Sequence, residues 1–188
     1  MDLHIIPECY IDTKLLKIAV PPKGRYNHQK GCPNVMKLMQ EKLRSDFALG
    51  IIDKDKVIMK YVEEFNDIIH IPDKLQLLKH PHRHHYLIFI CPAPEKWMIA
   101  TAEDAGLSLT DFGLPHDFDK LSKITKTSKS ENDDPYSANF QQLFKEIKRK
   151  ESPYWMIFSF WIAYLKANPY TADIGWLIQE TERLVGNS

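Results

Sequence analysis

Asp53 and Asp55 follow directly on an uninterrupted apolar run, Phe47-Ala-Leu-Gly-Ile-Ile, and one residue separates them. Two aspartates spaced in this way can both turn toward one hard cation once the chain leaves a strand, and a divalent ion held by oxygen ligands is the simplest use of such a pair. Glu8 closes an earlier apolar stretch, Leu3-His4-Ile5-Ile6-Pro7, and Glu95 lies just past Tyr86-Leu-Ile-Phe-Ile-Cys91. Each acid taken alone has an ordinary explanation. Aspartate favours turns and helix caps, and a glutamate in a first helical turn suits the macrodipole. Their common position past the end of an apolar strand is what points to chemistry, because ligands of open α/β sheets bind in the crevice at the carboxyl edge.

The elements that must position these acids read as a doubly wound α/β arrangement. Leu3 to Glu8 predicts a short strand that Pro7 closes. Asp12-Thr13 is an N-cap candidate before the apolar helical face of Lys14 to Val20, and Pro21-Pro22 stops that helix. Lys23 to Cys32 is basic and glycine-containing, a loop able to hold a phosphate or simply to be solvated. Val35, Met36, Leu38, Met39 and Leu43 predict a second helix, and Phe47 to Ile52 a strand buried on both faces. Ile58, Tyr61, Val62 and Phe65 fit a third helix ending near Asn66. Leu75 to Leu78 and Tyr86 to Cys91 are two further strands, close enough across Pro81-His82-Arg83 to form a hairpin. From Ala93 onward the pattern is helical: Glu95 to Ala105, Asp117 to Ile124, Ala138 to Lys150, Tyr154 to Lys166 and Ala172 to Val185, with Lys126 to Asp134 as an exposed linker.

Composition narrows the partners. The 188 residues suffice for one domain with a real core, and 25 Lys plus Arg balance 25 Asp plus Glu, so no global positive field draws in nucleic acid. Any nucleic-acid site must therefore be local. Three widely spaced cysteines, Cys9, Cys32 and Cys91, fit a reducing compartment better than a disulfide framework. With no leader-like start and no stretch long enough to span a bilayer, the expectation is a soluble cytoplasmic protein that does not engage membranes.

In their order, these motifs resemble the signature of the Toprim domain. Glu8-Cys9-Tyr10-Ile11-Asp12 corresponds to a Glu after the first strand with a second acid four residues on, and Asp53-Lys54-Asp55 to a later Asp-x-Asp. Pro92-Ala93-Pro94-Glu95-Lys96-Trp97 resembles a further element of compact Toprim proteins related to RloB and the OLD-family nucleases. The resemblance covers residues 3 to 100 and implies a mostly parallel sheet flanked by helices over 1–106, with an α-helical extension over 107–188 packed on it. Two departures stand out: Cys9 occupies a position that is usually Gly, and the expected second strand has only Tyr26 to Lys30 for its place.

Toprim domains act on phosphodiester bonds with acids that bind Mg²⁺, so the resemblance implies a nuclease dependent on Mg²⁺ or Mn²⁺, acting on DNA or RNA. In that reading Asp53 and Asp55 hold the metal, Glu8 binds metal or serves as general base, and Glu95 and Asp12 complete the acidic cluster. Lys23, Arg25, Lys54 and Lys56 are the candidates for neutralising phosphate. The same resemblance implies a protein partner such as an ATPase in a bacterial defence system.

Two other stretches compete for attention. Lys79-His80-Pro81-His82-Arg83-His84-His85 carries a cluster of histidines; an exposed basic turn is favoured over a zinc or nickel site, with His85 within reach of the acidic edge. The carboxyl-terminal helices are rich in aromatics, and Phe158, Trp161 and Leu165 share a core face while Trp155 and Phe160 point elsewhere. That second face implies a partner surface, either for a second copy or for another protein. The rival to a nuclease is thus a non-catalytic Toprim-like interaction subunit.

Overall fold

Ala48–Asp53 carries no side chain that needs water until its last residue, and it forms the strand, β2, on which the sheet is built. The computed structural model describes residues 1–54, 59–127 and 134–186. Asp55 and Lys56, and most of the expected linker before Asp134, lie outside the described residues. On one side β2 pairs in parallel with β1 (Ile5–Pro7), and on the other with β5 (His85–Ile90). Two antiparallel strands, β4 (Leu75–Lys79) and β3 (Asn66–Ile71), extend the sheet beyond β5, giving the order β1-β2-β5-β4-β3. The hairpin expected around Pro81 to Arg83 is the β4–β5 pair.

Successive side chains of β2 point to opposite faces, and helices or loops cover both. Leu49 and Ile51 join the larger apolar cluster, to which α1 (Tyr10–Ala19), α3 (Pro94–Asp104), α5 (Ser137–Arg149), α6 (Pro153–Ala167) and α7 (Ile174–Gly186) contribute. Ala48 and Ile52 join the smaller one, with Val35, Met36 and Met39 of α2 (Cys32–Glu41) and with Tyr61 and Phe65. The larger cluster runs without a break from Ile5 through Trp97 to Leu177, so residues on both sides of position 106 share one core. Trp155 belongs to it too. Its ring packs 6.3 Å from Trp97 and 5.8 Å from Phe144, which corrects the expectation that it points away from the core. Phe160 is half-buried beneath Trp176 of α7, at 5.6 Å.

Three local differences from the sequence pattern have physical causes. Ile58 of the expected third helix lies outside the described residues; over the rest of it a single 3₁₀ turn spans Val62–Glu64, and Asn66–Ile71 leaves it as a half-exposed edge strand whose pairing slips between Asp67 and Ile69. The slip breaks the alternation that would have marked the strand. Tyr26 to Lys30 forms no strand, yet it runs extended beside β1: the amides of Asn27, Gln29 and Gly31 donate to the carbonyls of Ile5, Pro7 and Glu8 at 3.1, 3.0 and 3.1 Å. The histidine turn is not wholly exposed, since His80 and His85 are buried. His85 Nε2 donates to the Leu43 carbonyl at 2.9 Å, which leaves Nδ1 to accept from the Tyr61 hydroxyl. Because His85 opens β5, it stands at the opposite edge of the sheet from Asp53 and cannot reach the acids.

Gly50 fixes how closely α2 approaches the sheet. A methyl group there would lie 2.7 Å from Leu87 Cδ2, 3.1 Å from Val35 Cγ1 and 3.3 Å from Met39 Sδ. Gly50→Ala is therefore expected to destabilise the fold by about 1–3 kcal/mol through overpacking. Urea unfolding checks this; a midpoint equal to wild type would mean that α2 shifts freely on β2.

Candidate functional site

The parallel strands end together, and their ends build the site. Glu8 comes just after β1 and its amide donates to the Ile51 carbonyl at 3.0 Å, carrying the ladder one residue further. Its side chain turns across the end of β2, where Oε2 accepts the Asp53 amide at 3.1 Å. Asp53 ends β2 opposite Ile90, the last residue of β5. From there the chain passes through Cys91-Pro92-Ala93 into α3, whose first turn carries Glu95. Glu8, Asp53 and Glu95 consequently line one cleft of about 1180 Å³. Lys30, Lys96 and Lys126 line it as well, together with His28, Phe118, Asp119, Ser122 and Thr125.

Glu95 is held from a distant part of the chain. It is 6% exposed and accepts a hydrogen bond from Thr125 Oγ1 on α4 (Phe118–Thr127). His28 is oriented from α1. Thr13 Oγ1 gives its proton to the Cys9 carbonyl at 2.8 Å, so its 3.1 Å contact with His28 Nδ1 requires that nitrogen to donate. The His28 ring also stacks on Tyr10 at 4.2 Å.

Asp12 has a different place from the one its spacing suggested. The helix begins at Tyr10 with Cys9 as N-cap, so Asp12 is the third helical residue rather than a cap. Cys9 Sγ accepts the Asp12 amide at 3.4 Å and Asp12 Oδ2 accepts the Cys9 amide at 3.2 Å, a capping box with cysteine in place of serine or threonine. The Asp12 carboxyl is fully buried, its Oδ1 makes no hydrogen bond, and it is absent from the cleft wall. Burial first, with the charges of Glu8 and Glu95 adding to it, pushes its pKa up to about 8 even though the bonds from Cys9 pull the other way. Burial and the same carboxylate push the Cys9 thiol up as well.

The predicted phosphate contacts divide. Lys23 and Arg25 are exposed at the far end of the strip beside β1, where the Lys23 and Gly24 amides bind Asp2 Oδ2 at 2.8 and 3.1 Å; neither reaches the cleft. Lys54 is exposed just past Asp53 and is not part of the cleft wall. Lys30, later in the same strip, is the residue that arrives at the acidic edge. Sequence spacing did not single out Lys30, Lys96, Lys126, Ser122 or Thr125, and α4 supplies three of them from beyond residue 106.

The donor set at this edge is made of carboxylates, the hard oxygen ligands that suit Mg²⁺ or Mn²⁺. Asp12 lies close enough to Glu8 and Glu95 for their charges to add to the rise that burial imposes on its carboxyl. Among the described residues, no three His, Cys, Asp or Glu side chains converge into a metal-holding group, and Asp55 lies outside them. No protein-family model, curated protein or solved structure matches the chain.

The buried carboxyl makes a pH test possible. Asp12 keeps its proton to about pH 8 in the native chain but only to about 3.8 as an ordinary carboxyl, so the native state binds more protons between these values. Stability must then fall as pH rises through that window. Asp12→Asn, which keeps an acceptor for the Cys9 amide, removes this titration. Its advantage over wild type is expected to grow from about pH 4 to about pH 8, reaching on the order of 2 kcal/mol or more. Denaturant midpoints at pH 5 and pH 8.5 measure it; a gap that does not change with pH would show that burial does not raise the proton affinity of Asp12.

Proposed function

We propose that the chain is a phosphodiester hydrolase of Toprim type, dependent on Mg²⁺ or Mn²⁺, that acts on nucleic acid in the cleft at the carboxyl edge. The observation that carries this reading is that Glu8, Asp53 and Glu95, each at or just past the carboxyl end of a parallel strand, line one cavity that lysines also line. In it, Asp53 would hold the cation, with Asp55, which lies outside the described residues, as the second acid of the pair. A bound cation supplies the charge neutralisation that lets a phosphate approach carboxylates and lowers the pKa of a coordinated water.

The chain's own groups do the remaining work. Glu8, anchored by the Asp53 amide, accepts the proton of the attacking water. Thr125 fixes Glu95 in the first turn of α3. Lys30, Lys96 and Lys126 neutralise the non-bridging phosphate oxygens from the rim. His28, locked by Thr13 and Tyr10, presents a fixed imidazole to the substrate. A second reading, a Toprim-like subunit without catalysis that acts through a protein partner, draws support from the lack of a converged ligand triad among the described residues.

Asp53→Ala separates the two. The contact of Asp53 with Glu8 runs through its backbone amide, which the substitution keeps, so the variant should remain folded, as circular dichroism would check. Wild-type melting temperature should rise with Mn²⁺ by mass action, and that rise should vanish in the variant along with Mn²⁺-dependent cleavage of nucleic acid. If the variant still responds to Mn²⁺ as wild type does, the acidic edge is not the metal site. If wild type binds Mn²⁺ and cleaves nothing, the interaction subunit is the better reading.

A further inference from the structure

We infer that the groove running from the acidic cleft along α4 binds an unpaired nucleic-acid strand, with a base stacked on Phe118 and phosphates on Lys123 and Lys126. The inference rests on the hydrolase reading for its direction, but its observations lie outside the acidic residues. Asp119, Ser122, Lys123 and Lys126 line a second hollow of about 540 Å³. Three of them, Asp119, Ser122 and Lys126, also line the acidic cleft, so the two spaces share a wall and form one track. Positions 119, 122, 123 and 126 follow helical spacing along one side of α4, where Lys123 and Lys126 are exposed; Leu121 is buried on the far side, and Phe118, Ser122 and Thr125 border the cleft between them.

The track as a whole has the two features that single-strand binding needs. The first is charge: Lys123 and Lys126 are exposed on α4, and Lys96, in the first turn of α3, lines the acidic cleft together with Lys126. The second is an accessible ring. Phe118, at 36% exposed, lies on the wall of the cleft at the start of α4, and Lys96 Nζ is 5.2 Å from its centroid. A phenyl ring beside a lysine offers a π-face and a counter-charge together, and that pairing is how sequence-tolerant binders hold a base and the phosphate next to it. Duplex bases have no free face to give. The cleft of about 1180 Å³ is also larger than a typical small-ligand pocket, far more than a lone phosphate needs. A polyanion lying on α4 would deliver its backbone to the edge where Glu8 and Asp53 stand.

Fluorescence anisotropy with a labelled oligothymidylate, an abasic phosphodiester chain of equal length and a duplex, all in Ca²⁺ buffer, tests the inference. The unpaired strand should bind about tenfold or more tighter than either of the others. Phe118→Ala should lower its affinity about tenfold without changing that of the abasic chain, and Phe118→Trp should retain it. Lys123→Ala/Lys126→Ala should weaken both single chains and reduce the slope of log K against log salt by about 1.4, from about 0.7 per phosphate contact. Equal affinity for duplex, indifference to Phe118→Ala, or no binding of the oligothymidylate would overturn it. The hydrolase reading fails separately: Mn²⁺-dependent turnover of bis(p-nitrophenyl) phosphate, a substrate with no base to stack, should be present in wild type and lost in Asp53→Ala. Strand binding of the expected pattern without that turnover upholds the groove and removes the hydrolase.

Discussion

The parallel pairing of β1, β2 and β5 is the constraint from which the rest of the molecule follows. Pro7 pairs with Ile51 and Asp53 with Ile90, so the chain leaves all three strands at the same edge, and the acids that come next have one space to enter. Each ladder hydrogen bond contributes about 1 kcal/mol net, whereas burying each of Leu49, Ile51 and Ile52 contributes about 1.5–3 kcal/mol. Apolar burial therefore fixes where β2 ends. The hydrogen bonds then fix its register, and Gly50 allows α2 to close the second face.

The acids have an unfavourable place on this frame, and comparison of magnitudes shows which effect sets their state. Asp12 and Glu95 both occupy first helical turns, where the macrodipole offers about 0.3–1 kcal/mol to a carboxylate. A carboxyl pushed from 3.8 to about 8 has lost far more than that to burial and to its acidic neighbours. Capping explains why Asp12 is near Cys9. It does not explain why the chain tolerates a buried carboxyl with an orphaned oxygen, which is the sort of local conflict that concentrates at functional sites.

How much of this the sequence revealed depended on whether a residue's role was local. β2 and its terminal Asp53 were legible because six apolar residues before an acid have few other readings, and the β4–β5 hairpin because a short turn joins two apolar runs. Asp12 was misread as a cap because cysteine is a poor signal for the position that Cys9 fills. β3 was missed because an edge strand with a slipped register has no clean period. Thr125, Lys126 and Phe118 were illegible in principle: they enter the cleft only through the packing of α4 against α3, and no local pattern encodes that. Lys23 and Arg25 failed for the opposite reason, since the strip they belong to runs the length of β1 and only its last residues reach the acids.

The two ends of the sheet put the same kind of polar group to opposite uses. At the amino edge, His85 has both nitrogens engaged, one by the Leu43 carbonyl and one by the Tyr61 hydroxyl, and Arg83 donates to that hydroxyl at 3.1 Å. His80 is likewise engaged on both sides, accepting the His82 amide at Nδ1 and donating to Glu64 from Nε2 at 3.1 Å. A buried network with its partners in place rigidifies a fold and calls for no ligand. At the carboxyl edge, by contrast, acids stand near acids, a buried carboxyl oxygen has no partner, and lysines gather on the rim of a large cavity. Polar residues are present at both edges, so polarity alone cannot identify the site; what separates the edges is that the buried histidines of one have partners at both nitrogens, while the other sets acids beside acids and leaves a buried carboxyl oxygen without a hydrogen bond.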